Sequence, residues 1–347
     1  MASTWPLPSA ILVHEYVTGG GWPSPDLPSG LAAEALAILR ALLADLRAWG
    51  KFPVVTTRDR RLHGTLLAAD RVVDLDAEVY PTRVLELARE CGAALVVAPE
   101  GGGALEHLSS LVSDAGVCLL GSLPEAVAVA ADKWECYRRF SQAGLSTPKT
   151  TRVSPDAASV AAARLGYPVV VKPLDGAGCD GVGLATDDAV LKRALRQPAL
   201  RGAESILVQE YASGSAASVS LLVAGGRSTV LSLNGQRVRA GIPFAYDGGV
   251  ASLPHPRREE ACELAQRAVA LVPGLRGYVG IDLVLGEETC WLIEINPRPT
   301  TSYVGLHRVI NLNMAAAIWR ACRDGSLPAA VAVPPPAAFG KGWADGW

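Results

Sequence analysis

The sequence predicts an α/β domain on a doubly wound parallel sheet, continued by an α+β portion, and three observations carry that reading. Apolar, strand-like runs alternate with helical patterns through the first third of the chain, the order that parallel sheets with crossover helices produce. From about residue 122 strands follow one another through shorter connections, as antiparallel pairs do. Half of the 347 residues are hydrophobic, enough to bury a sizeable core and to exclude wholesale disorder.

Residues 11–17 form the first strand, and 31–49 a helix entered through Ser29 and stopped by Gly50. Short strands follow at 53–56, 72–73, 95–98 and 117–120, with a helix near 81–91. In such sheets ligands bind beyond the carboxyl ends of the strands. That directs attention to Gly19-Gly20-Gly21 after the first strand and to Glu100-Gly101-Gly102-Gly103 after the run at 95–98. A helix over 124–143 leads through Pro148 into a strand at 150–153, then a helix near 156–165 and a strand at 169–172. A glycine-rich turn, a strand at 182–185, a short helix and a strand at 206–211 come next. Long β runs at 219–223 and 229–233, a helix near 257–271, strands at 278–285 and 290–295, and a helix over 303–322 complete the pattern. The chain therefore divides at about residue 121 into 1–121 and 122–325, the latter with a small lid at about 145–212 and a catalytic part at about 213–325. A Pro/Gly-rich tail at 326–347 reads as loosely held.

Thirty-two Lys+Arg against 34 Asp+Glu give a formal charge of −2. No basic block is present to capture nucleic acid or an anionic membrane. The seven cysteines are scattered without a CxxC or CxxH spacing, which excludes a zinc motif and reads as reduced thiols in a cytoplasmic protein. The start, MASTWPLPSA, is not a secretory signal, and no apolar run is long enough to span a bilayer.

Three features carry chemistry. In Asp175-Gly176-Ala177-Gly178-Cys179-Asp180-Gly181-Val182-Gly183 the glycines free successive N–H groups to face phosphate oxygens. The spacing spells GxGxxG, but a strand follows rather than the helix a dinucleotide fingerprint requires, so the loop reads as a hairpin cover. Lys172, at the end of the preceding strand, is placed to neutralise phosphate charge. The second feature is Asp282 on one strand and Glu294-Ile-Asn296-Pro-Arg298 on the next. Alternation puts Glu294 and Asn296 on one face, and strand pairing would bring Asp282 beside them as a hard oxygen site of the kind Mg²⁺ takes. Arg298, two residues on, is placed to meet a transferring phosphoryl group or an acyl phosphate. The third is Gln209-Glu210-Tyr211 at a strand end, where backbone groups could meet an adenine edge and Gln209 its exocyclic amine.

Together these features resemble the ATP-grasp superfamily of carboxylate–amine ligases over residues of about 121–310. The resemblance implies an ATP-grasp fold behind the N-terminal α/β domain, with ATP and Mg²⁺ (or Mn²⁺) as cofactors. It implies Lys133 and Lys172 as nucleotide lysines, 176–183 as the phosphate cover, and Gln209 to Ala212 as the adenine hinge. Asp282, Glu294 and Asn296 would be the metal ligands, with Arg298 at the reaction centre. One departure stands out: the acid that usually holds the ribose has no counterpart in Ser213–Ser218, where Ser215 or Ser218 would have to substitute. The opening, Ile11-Leu-Val-His14-Glu15-Tyr16-Val-Thr-Gly19-Gly20-Gly21, with Leu233-Asn234-Gly-Gln236 and Tyr246-Asp-Gly248-Gly249, resembles the tyramine–glutamate ligase group of methanofuran biosynthesis. That implies activation of the L-glutamate γ-carboxyl and attack by tyramine, with Glu15, Tyr16, Gly20, Arg237 and Tyr246 on the substrate side. The resemblance also implies further strand-forming sequence beyond Gly340-Lys341, so the C-terminus reads as truncated. A small-molecule kinase on the same fold and a non-catalytic nucleotide sensor are the rival readings. The partners expected are small molecules and, for assembly, a second copy in a homodimer.

Overall fold

The computed structural model describes residues 6–176 and 178–340; Ala177 and Lys341 lie outside them. β1 (Ala10–Glu15) is buried along its whole length, as a central parallel strand covered on both faces must be. α1 (Ser29–Trp49) turns Ile38, Leu39, Leu42 and Leu46 inward on one stripe and stops at Gly50. β2 (Val54–Asp59), β3 (Arg71–Leu75), α2 (Thr82–Cys91), β4 (Gly92–Val97), α3 (Ala104–Asp114) and β5 (Cys118–Leu119) complete a parallel sheet of order β3-β2-β1-β4-β5. Strand order reverses between β1 and β4, so the turns after these two strands flank one crevice.

The helix expected over 124–143 is two helices, α4 (Pro124–Ala131) and α5 (Lys133–Gln142). Asp132 leaves the helical region (φ −84°, ψ 100°), and its carboxylate accepts from the N–H groups of Trp134 and Glu135, so it caps the second helix in the middle of a continuous helical pattern. β6 (Thr150–Val153), α6 (Ala158–Leu165), β7 (Val169–Lys172), β8 (Gly183–Ala185), α7 (Asp188–Ala194) and β9 (Ile206–Glu210) build an antiparallel sheet of order β6-β9-β7-β8.

The third sheet takes β10 (Ser215–Ala224), β11 (Arg227–Arg239), β12 (Ala245–Ala251), β13 (Gly277–Leu285) and β14 (Cys290–Asn296), with α8 (Arg258–Ala270) between β12 and β13. The helix expected over 303–322 is again two, α9 (Thr301–Leu306) and α10 (Met314–Arg323), the second capped by the Asn313 side chain. Nor is the whole tail loose. β15 (Ala337–Phe339) pairs with β12 and closes the order β14-β13-β10-β11-β12-β15. Phe339 is buried in the core that α1, α9 and α10 share, and that apolar anchor is what the Pro/Ala/Gly composition conceals.

Asp45 on α1 accepts hydrogen bonds from the Tyr303 hydroxyl (2.5 Å) and from His307 Nδ1 (2.7 Å). This buried bond set ties the N-terminal sheet's helix to α9, which carries part of the cavity wall described next. All seven cysteines are free thiols. Among the described residues no helix is long and apolar enough to cross a membrane.

Candidate active site

Two cavities meet above β13 and β14. The narrower, about 170 Å³, lies between the four-stranded and six-stranded sheets, with Val170, Lys172, Tyr211, Ala212 and Leu283 in its walls. The wider, about 680 Å³, reaches across to the turns after β1 and β4, with Trp22, Ile38, Pro99, Tyr246 and Arg298 in its walls. Gly176, Gly178, Cys179, Gln236, Asp282 and Glu294 border both. That shared border is where a group could pass from one cavity to the other.

β13 and β14 are antiparallel, with Asp282 opposite Glu294 and Gly280 opposite Asn296, so all three polar side chains reach one face. Asn296 Nδ2 donates to Asp282 Oδ2 (3.1 Å), and Gln236 Nε2 donates to Asp282 Oδ1 (3.0 Å). Burial, and then the Glu294 charge, hold the Asp282 carboxyl above its usual range. For Glu294 burial works in the same direction, but the charges of Lys133 and Lys172 outweigh it and hold its carboxyl low.

Lys133 is buried, although as a helix residue it would read as solvated. Because Asp132 starts a new helix there, Lys133 Nζ reaches the Gly176 carbonyl (2.8 Å) and pairs with Glu294 Oε2 (3.2 Å). Lys172, at the end of β7, is 4% exposed and donates from Nζ to Gln209 Oε1 (3.0 Å). Burial pushes its ammonium down to about 8. On the far wall Arg298 Nη2 donates to Glu100 Oε2 (2.8 Å). Two lysines, two carboxylates and an arginine thus surround a glycine-rich loop, an arrangement that opposes charge to a polyphosphate and its reacting end.

An ATP-grasp domain model matches residues 130–302, and a pre ATP-grasp 3 domain model matches 52–127. The chain is 31% identical over 233 residues to tyramine–L-glutamate ligase of Methanocaldococcus fervens, covering 67% of each chain. The chain belongs to the ATP-grasp family. It is 32% identical over 216 residues to tyramine–L-glutamate ligase of Methanocaldococcus jannaschii, covering 61% of this chain but only 58% of that enzyme. An ATP-grasp superfamily protein from Archaeoglobus fulgidus superimposes with a TM-score of 0.69 at 23% identity, over 95% of this chain and 99% of that one.

Several site assignments change within this ATP-grasp frame. Gln209 lines the narrow cleft together with Glu210, Tyr211 and Ala212, and its side chain is engaged there: its amide donates to Thr150 Oγ1 (2.8 Å) while its oxygen holds Lys172. Neither Ser215 nor Ser218 does; Ser215 is exposed at the start of β10, and Ser218 is buried against Ser302 and Asn234. Gly181 lies outside both linings and packs under the loop, where a Cβ would come within 2.7 Å of Ala199.

On the substrate side, Tyr246 lines the wide cavity and bonds the Thr301 hydroxyl (2.7 Å). Glu15 borders it, but its carboxylate is bound by the N–H groups of Val17 and Thr18 and by the Thr18 hydroxyl, so it holds the turn. Tyr16 packs edge-on against Tyr80, and Gly20 lies against Leu75 with no room for a Cβ; neither lines a cavity. Arg237 is exposed and donates to the Asp247 carbonyl (2.8 Å). Alternation along β11 puts Gln236 and Val238 on the face that borders the cavities and Arg237 on the other. Arg237→Ala is accordingly expected to leave the KM of every substrate within about twofold, as surface changes usually do; a tenfold rise in steady-state assays would return Arg237 to the site.

Gln236, read in the sequence only as part of a substrate-side segment, meets Asp282, and residues that sequence reasoning gave no role include Glu100 and Trp22. Glu100 had a legible signal, a carboxylate opening a glycine turn at the strand-order reversal; Trp22 had none. Hard oxygen donors side by side suit a divalent cation; burial first, and then repulsion from Glu294, hold the Asp282 carboxyl up, and the repulsion is the part such a cation would relieve. Among the described residues no group of three or more His, Cys, Asp or Glu side chains gathers to hold a metal. Asp282, Glu294 and the Asn296 amide therefore fit an ion that takes its remaining ligands from phosphate and water.

Proposed function

We propose that this ATP-dependent ligase joins the γ-carboxyl of L-glutamate to tyramine. ATP occupies the narrow cleft, with its triphosphate under the 175–183 loop. A carboxylate oxygen of the acid in the wide cavity attacks the γ-phosphorus, ADP leaves, and an acyl phosphate forms. The amine nitrogen then attacks the acyl carbon, the C–O bond to phosphate breaks, and the amine gives up a proton. Lys172, Lys133 and the loop amides oppose the phosphate charge, while Arg298 holds the acyl phosphate. Mg²⁺, held by Asp282, Glu294 and Asn296 when bound, supplies further neutralisation of phosphoryl oxygens.

The observation that carries this reading is the border the two cavities share, formed by Asp282, Glu294 and the glycine loop. A kinase or a carboxylate ligase would both need it; the amine substrate is supported by the names of the 31–32% identical relatives. Apolar walls from Trp22, Ile38, Val238 and Tyr246 suit an aromatic amine. Such a product would place the enzyme in methanofuran biosynthesis.

ADP formation measured with glutamate alone and with a panel of amines tests the proposal. Turnover should require both substrates, give one amide per ADP, and be fastest with tyramine. Stoichiometric ADP without any amine, accompanied by a stable phosphorylated product, would make the protein a kinase instead.

A further inference from the structure

The turn Glu100-Gly101-Gly102-Gly103 is assigned no part in the reaction above. Three successive residues of it nevertheless touch the machinery. Glu100, 5% exposed, accepts from Arg298 Nη2 at 2.8 Å. Gly101 approaches the glycine loop so closely that a Cβ there would fall 2.9 Å from Gly176 Cα. The Gly102 N–H donates to Asp175 Oδ2 at 3.1 Å. Left-handed backbone at Gly102 and Gly103, φ 64° and 68°, lets the chain make these contacts in so short a span. Gly176 in turn receives Lys133, which pairs with Glu294. One turn thus joins the reaction-centre arginine to the phosphate cover.

The Glu100–Arg298 pair is only half made. Arg298 Nε and Glu100 Oε1 are both buried and without a hydrogen-bond partner. The Nε/Nη2 edge of a guanidinium matches the two oxygens of a carboxylate, so the two orphaned atoms are complementary to one another. Burial makes their pairing matter, because an unsatisfied charged atom is costly there. Glu100 lies outside both cavity linings and meets the site by its hydrogen bond to Arg298.

We propose that Glu100 is a positioning residue for Arg298, and that the 100–103 turn couples this positioning to Asp175 and Gly176 at the start of the glycine loop. The chemistry at stake rests on the ligase reading above. An acyl phosphate can be captured by the amine, giving amide, or by water, giving free acid and phosphate with ATP wasted. Arg298 set in place by this turn favours capture by the amine.

The test compares wild type with Glu100→Gln, Glu100→Asp, Asp175→Ala and the Glu100→Gln/Asp175→Ala double variant, scoring ADP and amide together. Glu100→Gln should lower kcat for amide about a hundredfold, the scale of losing one placed donor. Its KM for ATP should stay within about twofold, since positioning acts after binding, and more than one ADP should appear per amide. Glu100→Asp, which keeps the charge, should recover part of kcat. Asp175→Ala, which removes the acceptor for the Gly102 N–H, leaves Glu100 and Arg298 intact yet should also raise the ADP-to-amide ratio, and the double variant should be no worse than Glu100→Gln alone. Amide hydrogen exchange at residues 101–103 should slow when a non-hydrolysable ATP analogue binds wild type, and should not slow in Asp175→Ala. Wild-type kcat and one ADP per amide in Glu100→Gln would overturn the positioning role. Unchanged exchange at 101–103, or effects that multiply in the double variant, would overturn the coupling. If Glu100→Gln melts below the assay temperature, Glu100→Asp and Asp175→Ala decide the same two points. Wild type that consumes ATP and forms no amide with any amine would instead sink the ligase reading, while the exchange arm would still decide the coupling.

Discussion

Glu294→Gln is expected to lower turnover by at least about a hundredfold, the loss typical of removing one preorganised charge partner from a reacting phosphate, while the thermal midpoint moves by only a few degrees. Glu294 stands opposite Asp282 on the paired strands and meets Lys133 at 3.2 Å. Its removal takes a ligand from the proposed divalent-ion site and leaves Lys133 without its counter-charge. Breaking a buried ion pair by deleting one partner typically costs about 3–5 kcal/mol. Here two features soften that cost. The glutamine keeps an oxygen for Lys133, and the repulsion that helps hold the Asp282 carboxyl above its usual range disappears with the Glu294 charge. The comparison of steady-state rate with the melting curve decides the point: a collapsed melt with a near-normal rate in the surviving protein would make Glu294 a structural residue.

Lys172→Met should likewise cost about two orders of magnitude in kcat/KM for ATP, yet stabilise the free protein or leave it unchanged near pH 7. Burial lowers the Lys172 ammonium from 10.5 to about 8, and a shift of that size corresponds to roughly 3 kcal/mol charged against folding. The sign follows from proton binding. Below pH 8 both folded and unfolded chains carry the proton, and the full cost of burying the charge applies. Between about 8 and 10.5 the folded chain has released it while the unfolded chain has not, so stability rises with pH. Methionine removes the charge and nearly preserves the volume, at the cost of leaving Gln209 Oε1 without its donor, about 1–3 kcal/mol. The stability difference between variant and wild type should therefore shift toward wild type as pH is raised from 7 to 10, measured by denaturant unfolding. A difference independent of pH would mean that Lys172 is not buried as a charged group.

The strand pair that bears Asp282, Glu294, Asn296 and Arg298 was legible because its information is local. A period of two places alternate residues on one face whatever the rest of the chain does, and a short turn between two such runs makes them neighbours. The glycine loop was legible for the same reason: a strand on each side forbids a dinucleotide helix and leaves a hairpin cover. The parallel order of the first sheet followed from alternation of element types.

Gln209 shows where that kind of information stops. Alternation along β9 puts it on one face, but only the packing of β9 between β6 and β7 decides that its side chain bonds Thr150 and Lys172 at the wall of the narrow cleft. Arg237 and Gln236 are adjacent in a strand pattern and so face opposite ways, and only the face that the sheet turns to the cavities decides which of them lies inward. Asp132 sits in an unbroken helical run and nevertheless ends one helix and caps the next, so Lys133 becomes a buried partner of Glu294. Glu100 and Arg298 lie 198 positions apart and meet because three sheets pack around one crevice. By itself, then, the sequence determined the elements, the sheet classes and the chemical types gathered on each strand, because backbone periodicity and turn chemistry act over a few residues. Only the tertiary structure decided which side chains face the cavities and which satisfy one another, because burial forces each polar group to find its partner among residues that the chain alone does not place nearby.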